Sequence, residues 1–224
     1  MNLVEYSDAE LMAMDVANQL AGELRTILSH QERATFVVSG GETPGPVYDA
    51  LCAADLDWAR VDVILSDERW VPEVHVRSNT RMLRERLLVN RAAAAMFHPL
   101  YVKADRPEDV LAEIETGIAP LLPVSVCLLG MGADMHTASI FPDGDNVKLA
   151  LKKKKSPILV AMNVPDVQDA RITLSARVLD ATLSKHILIS GRAKRNAIEA
   201  ARFKKRSQAP IKAVLSGATV HWSL

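Results

Sequence analysis

The chain has 224 residues, 49% of them hydrophobic and 24% charged, with 27 Lys+Arg against 27 Asp+Glu. That size and apolar content suit one large domain or two merged lobes with a sizeable core. The balanced charge gives no ground for a nucleic-acid or membrane-surface protein and leaves a small, anionic partner open.

The first residues, MNLVEYSDAELMAMD, put acids where a secretory signal needs basic residues before an apolar core. No apolar run reaches the roughly 20 residues that cross a bilayer, so a soluble, unprocessed, cytoplasmic chain is expected. Ser7-Asp8-Ala9-Glu10 has the S-x-x-E form of a capping box, and Leu11, Met14, Val16, Leu20, Leu24 and Ile27 follow at helical spacing. They predict a first helix to about Ser29. Beyond it come short runs, Ala34 to Val38, Val61 to Leu65, Val124 to Leu129 and His186 to Ser190, whose β-branched content suits strands buried on both faces. Helix-like segments over Pro46 to Ala54, Asn79 to Leu88, Pro107 to Ala119 and Lys194 to Phe203 lie between them. The alternation predicts an α/β fold with a largely parallel sheet, whose ligands bind beyond the carboxyl ends of the strands. Pro142 to Pro157, with the lysine run Lys152 to Lys155, reads as a solvated loop.

Each strand end delivers a candidate loop. Ser39-Gly40-Gly41-Glu42-Thr43-Pro44-Gly45 has paired glycines that turn N–H groups toward an anion, with Ser39 and Thr43 as hydroxyl donors; it reads equally as a tight strand-to-helix turn, and it lacks the GxxxxGK[ST] nucleotide form. Asp67-Glu68-Arg69 follows the second strand, where an Arg fork can hold an anion or an oxyanion; elsewhere the same triplet is a surface salt-bridged turn. Gly130-Met131-Gly132-Ala133-Asp134-Met135 begins like a dinucleotide fingerprint, but Met135 takes the place of the third small residue and no long helix follows. His136 next to it carries an imidazole, the side chain suited to general-base work near neutral pH, although a lone histidine is more often structural. Ser139 has no G-x-S-x-G elbow. Arg171, at the mouth of a short strand Arg171 to Ser175, and Lys194 after Gly191 supply two cations that would suit a phosphate dianion, or else are surface charges. Cys52 and Cys127 are isolated and the six histidines scattered, which predicts neither a disulfide nor a metal site.

SGGETP, SDERWVP with Ser78-Asn79 after it, GMGADMHTASIFP, RITLS and GRAK occur in the order and spacing of the 6-phosphogluconolactonase family, which this sequence resembles over almost its whole length. The resemblance implies one domain over residues 1–224 with an α/β, Rossmann-like, mostly parallel sheet flanked by helices. It implies hydrolysis of 6-phospho-D-glucono-1,5-lactone to 6-phosphogluconate without organic cofactor or metal, with a small phosphosugar lactone as the partner and a monomer favoured. It carries the catalytic roles onto His136, Asp67 and Arg69, with Asp67 orienting His136 or a sugar hydroxyl. The substrate and phosphate contacts fall on Ser39, Gly40, Gly41, Thr43, Asn79, Arg171 and Lys194. Glucosamine-6-phosphate deaminase or sugar-phosphate isomerase activity on the same fold, or phosphosugar binding without catalysis, are the alternatives. Two positions depart from the family pattern. Met135 stands where the family has glycine, which costs about 1 kcal/mol or more if φ is positive and would narrow the pocket beside His136. Glu42 puts an acid in the expected phosphate loop.

Overall fold

The computed structural model describes residues 1–154, 156–165 and 167–224, so Lys155 of the lysine run lies outside the described residues. Helix α1 spans Ala9–Leu28 and is capped by Asp8, one residue later than the S-x-x-E reading places it. The Asp8 carboxylate accepts from the Leu11 amide at 2.8 Å while Ser7 donates its hydroxyl to that same carboxylate. A charged acceptor at a helix N-terminus also meets the positive end of the helix dipole, which favours Asp8 over Ser7 as the cap. The buried face runs through Met12, Val16, Leu20 and Leu24; Leu11 and Met14, expected on it, are half-exposed.

Among the described residues, ten strands form two sheets. The large one has the order β1 (Asn2–Glu5), β10 (Thr219–Ser223), β9 (Ser184–Ser190), β6 (Val126–Gly130), β2 (Ala34–Val38), β3 (Val61–Leu65) and β5 (Met96–His98), and every pairing in it is parallel. β2 and β3 are buried at all five positions, as their unbroken apolar runs require. One hydrophobic cluster extends from Met12 on α1 to Val220 on β10. Helices α2 (Gly45–Leu51), α3 (Asn79–Arg86), α4 (Leu111–Ile118), α5 (Val147–Ala150), α6 (Ala176–Asp180) and α7 (Gly191–Ala201) complete the α/β arrangement. No helix among the described residues is long and apolar enough to cross a membrane.

The small sheet was only partly anticipated. Asp67–Arg69, expected as a loop, is strand β4; it pairs antiparallel with β8 (Arg171–Leu174), which pairs in turn with β7 (Leu159–Met162). Ser66 joins the two sheets, donating its amide to Val38 of β2 and accepting from Leu174 of β8. Arg171 therefore reaches the site from an antiparallel ladder and not from the end of a parallel strand.

A line of polar groups, buried at His186 and His221 and half-buried at its ends, ties α1 and β1 to the sheet. The Tyr6 hydroxyl donates to Asp15 at 2.6 Å and lies 2.9 Å from His221 Nδ1; His221 Nε2 lies 2.9 Å from His186 Nδ1; and His186 Nε2 lies 2.9 Å from Glu23. The single Tyr6 proton is committed to Asp15, so His221 donates from Nδ1 and accepts from His186 at Nε2.

Candidate active site

The loop after β2 passes close to α3. A Cβ on Gly40 would stand 2.1 Å from Asn79 Oδ1, so the residue must be glycine for Asn79 to occupy its place. Gly41 has φ +92, a left-handed conformation that glycine adopts without strain. Ser39 is buried, its carbonyl accepting from the Tyr48 hydroxyl at 2.7 Å, while its own hydroxyl has no partner.

β4 and α3 are locked together by Glu68, which is fully buried. Its two oxygens accept from the amides of Arg69, Asn79 and Thr80 and from the hydroxyls of Ser78 and Thr80. Burial pushes this carboxyl above its usual range, and the amide donors of Asn79 and Thr80 oppose that push. Asn79, so fixed, donates to the Asp67 carbonyl and accepts from Arg69 Nη1 at 3.0 Å; the Arg77 carbonyl holds the same Nη1 at 2.6 Å. Arg69 and Arg171 are opposite one another on the β4–β8 ladder. Burial lowers the proton affinity of Arg171, the nearby Asp67 raises it and Arg69 lowers it again; Arg171 Nε is buried without a partner and its guanidinium lies over the Phe141 ring. Ser39 and Arg171, each with a buried donor that lacks a partner, line the same cavity. Unsatisfied buried donors are costly, and an anion in that space would remove the cost.

Asp67 does not touch His136. Its carboxylate accepts from Ser66 Oγ at 2.7 Å and from Ser139 Oγ at 2.6 Å. The acid on His136 is Asp134, which stands 2.6 Å from Nδ1 and also accepts the His136 amide at 3.2 Å. Burial raises the Asp134 carboxyl, but the hydrogen bond and charge of His136 outweigh it and hold the group below the usual carboxylate range. A carboxylate only accepts, so Nδ1 carries a proton, and in the neutral ring Nε2 keeps a lone pair. Phe141 stacks on the imidazole at 4.1 Å. The D-x-H spacing is the signal for Asp134: it closes a turn in which Gly132 donates its amide to the His136 carbonyl and accepts from the Met135 amide, both at 3.0 Å. A Cβ on Gly132 would strike both Asp134 and the His136 ring at 2.3 Å.

Met135 has φ +71, so the expected backbone strain is present. The expected narrowing of the pocket is not. The side chain is 8% exposed, belongs to the hydrophobic cluster and is absent from the cavity wall. A short polar residue tolerates this φ better, but here apolar burial compensates for the strain.

A cavity of about 390 Å³ brings every predicted site residue together: Ser39, Gly40, Gly41, Thr43, Asp67, Arg69, Asn79, His136, Arg171 and Lys194 all line it. Glu42 lines it too, with an exposed side chain, as do Gly130 and Met131 of the strand-end glycine loop, and so does Leu188, which the sequence did not single out. Lys194 stands one turn into α7, which begins three residues earlier than expected because Gly191 takes a positive φ directly after β9.

A parallel sheet whose carboxyl ends, joined by a small antiparallel sheet, surround one cavity with an acid-held imidazole and three cations defines a class: α/β enzymes that act on an anionic small molecule. The chain belongs to the family described as glucosamine-6-phosphate isomerases/6-phosphogluconolactonase, whose model matches residues 7–222. It is 37% identical to the 6-phosphogluconolactonase of Pseudomonas aeruginosa over 220 residues, covering 97% of this chain and 92% of that protein. The Mesorhizobium japonicum 6-phosphogluconolactonase is also 37% identical, over 216 residues covering 95% and 90%. The crystal structure of a 6-phosphogluconolactonase from Shewanella baltica matches with a TM-score of 0.95 at 29% identity, covering 100% of this chain and 98% of the other. A monomeric glucosamine-6-phosphate deaminase matches with a TM-score of 0.81 at 17% identity, covering 100% and 97%, a likeness of fold alone.

Proposed function

We propose that this chain hydrolyses 6-phospho-D-glucono-1,5-lactone to 6-phosphogluconate, the lactone-opening step of the oxidative pentose phosphate pathway. The observation that carries the reading is the His136–Asp134 pair, which leaves Nε2 as a lone-pair acceptor at the wall of a cation-lined cavity. Nε2 takes a proton from water as the oxygen attacks the lactone carbonyl carbon. The carbonyl oxygen becomes an oxyanion, for which Arg69, held by Asn79 and the Arg77 carbonyl, is the donor. Collapse breaks the bond to the ring oxygen, which takes the proton back from the imidazolium. Asp134 stabilises the charged imidazole between the two transfers. Arg171, Lys194, Ser39 Oγ, Thr43 and the amides of the Gly40–Gly41 turn hold the phosphate, which supplies the anion that Ser39 and Arg171 lack. Asp67, tied to two serines, keeps Ser139 and the His136 loop in register and faces a sugar hydroxyl.

The test is a coupled assay for 6-phosphogluconate above the spontaneous opening rate, run beside an assay for ammonia from glucosamine 6-phosphate. Ammonia without 6-phosphogluconate would overturn the reading. With Met135 turned into the core, the motive for a binding protein without catalysis falls away. We further read residues 1–224 as one domain that acts as a monomer in the cytoplasm, where a phosphorylated substrate that cannot cross a bilayer unaided would be found.

A further inference from the structure

The lysine run is unexplained by the lactone site, yet in the fold it meets a second basic segment. Lys152 and Lys153, following α5, line a cavity of about 290 Å³ together with Arg177 of α6 and Arg206. Arg206 ends the sequence Arg202-Phe203-Lys204-Lys205-Arg206, so two cation-rich stretches some 50 residues apart in sequence converge on one hollow. The one acid in its wall, Asp180, is already engaged by Lys185 Nζ at 3.0 Å. Among the described residues, none of the four cations makes an ion pair. Arg177 is anchored through Nε to the Ser156 carbonyl at 3.2 Å, which holds the loop against α6 and leaves the rest of the guanidinium uncommitted.

Four like charges around a space this small repel one another, and the chain as a whole has no excess of cations to spread. The remaining walls are aliphatic, which lowers the local dielectric and favours a compact ligand over a hydrated salt ion. We propose that this hollow is a second anion site, separate from the lactone cavity, that binds a small molecule carrying two linked or neighbouring phosphates. Four cations drawn from two stretches offer more positive charge than one phosphate neutralises, which favours a ligand with two. No residue lines both cavities, so the sites fill independently.

Pyrophosphate binding by calorimetry tests this in the wild type, in Lys194→Ala and in the double variant Lys153→Ala/Arg206→Ala. The wild type should take up two equivalents, Lys194→Ala should keep the hollow's equivalent, and the double variant should lose it, with affinity down about ten-fold or more. Saturating pyrophosphate should raise Tm by about 5 °C in Lys194→Ala through the hollow, and should raise it less in the double variant, which keeps only the lactone cavity, than in the wild type. A sugar bisphosphate and a nucleoside diphosphate, compared with pyrophosphate, identify the source of the phosphates by which binds more tightly at this site. Loss of all pyrophosphate binding in Lys194→Ala, or unchanged binding in the double variant, overturns the proposal. So does a single-stranded RNA that depends on Lys153 and Arg206 and binds more tightly than any small anion. Both substituted residues are remote from the lactone cavity, so lactone hydrolysis by the double variant should remain near the wild-type rate, and the two readings fail separately.

Discussion

At the scale of single residues, His136 and Asp134 divide the work of a base. His136→Ala should lower kcat by about 10²–10⁴ while 6-phosphogluconate still binds, since the phosphate contacts are elsewhere; equal losses in binding and rate would sink the general-base role. Asp134→Ala should lower kcat about 10–100-fold with little change in KM, because the tautomer is then no longer fixed. Glu42 works the other way. Its acid lines the cavity that receives the phosphate, so Glu42→Ser should lower KM several-fold at low salt and less at high salt. Met135 is decided by magnitudes. Replacement by glycine relieves about 1–2 kcal/mol of left-handed strain, but it forfeits about 1.5–3 kcal/mol of side-chain burial and about 0.5–1 kcal/mol of chain entropy. Met135→Gly should therefore lower Tm by a few degrees in thermal unfolding and leave the lactonase rate unchanged. His136 was legible because a strand-end glycine loop frames it. Asp134 was passed over because its role needs a turn that brings residues 134 and 136 onto one hydrogen bond, and residue types alone do not show that.

Among elements, the parallel strands were readable because burial on both faces leaves unbroken apolar runs such as Ala34–Val38. β4 was not readable. A three-residue strand has no period to detect, and its partner β8 lies about 100 residues away in the chain, so only folding reveals that Arg69 faces Arg171. Glu68 was missed for the same reason: its five donors come mainly from the start of α3, ten residues on. The contact between the β2 loop and α3 makes its own prediction. Gly40→Ala must displace Asn79, which positions Arg69, so KM or kcat should worsen about ten-fold or more while circular dichroism shows an intact fold. Wild-type kinetics in Gly40→Ala would show that Asn79 can move without harm.

For the whole molecule, the line from Tyr6 to Glu23, buried at its two histidines, sets an acid limit. Burial, and then the proximity of His186, pull His221 from 6.5 down to about 4. Between those values the unfolded chain binds the proton and the folded chain does not, so stability falls as pH drops from about 6.5 toward 4, by about 3 kcal/mol at most. Tm measured across that window should decline, and His221→Gln should flatten the decline; a flat wild-type profile would show that His221 titrates normally. The same line fastens β1 to an edge of the sheet where, among the described residues, its neighbour is β10 alone. On the ribosome, then, β1 has no partner in this sheet until residues 219–223 have emerged. Loss of β1 would leave β10 as a bare, self-adhesive margin.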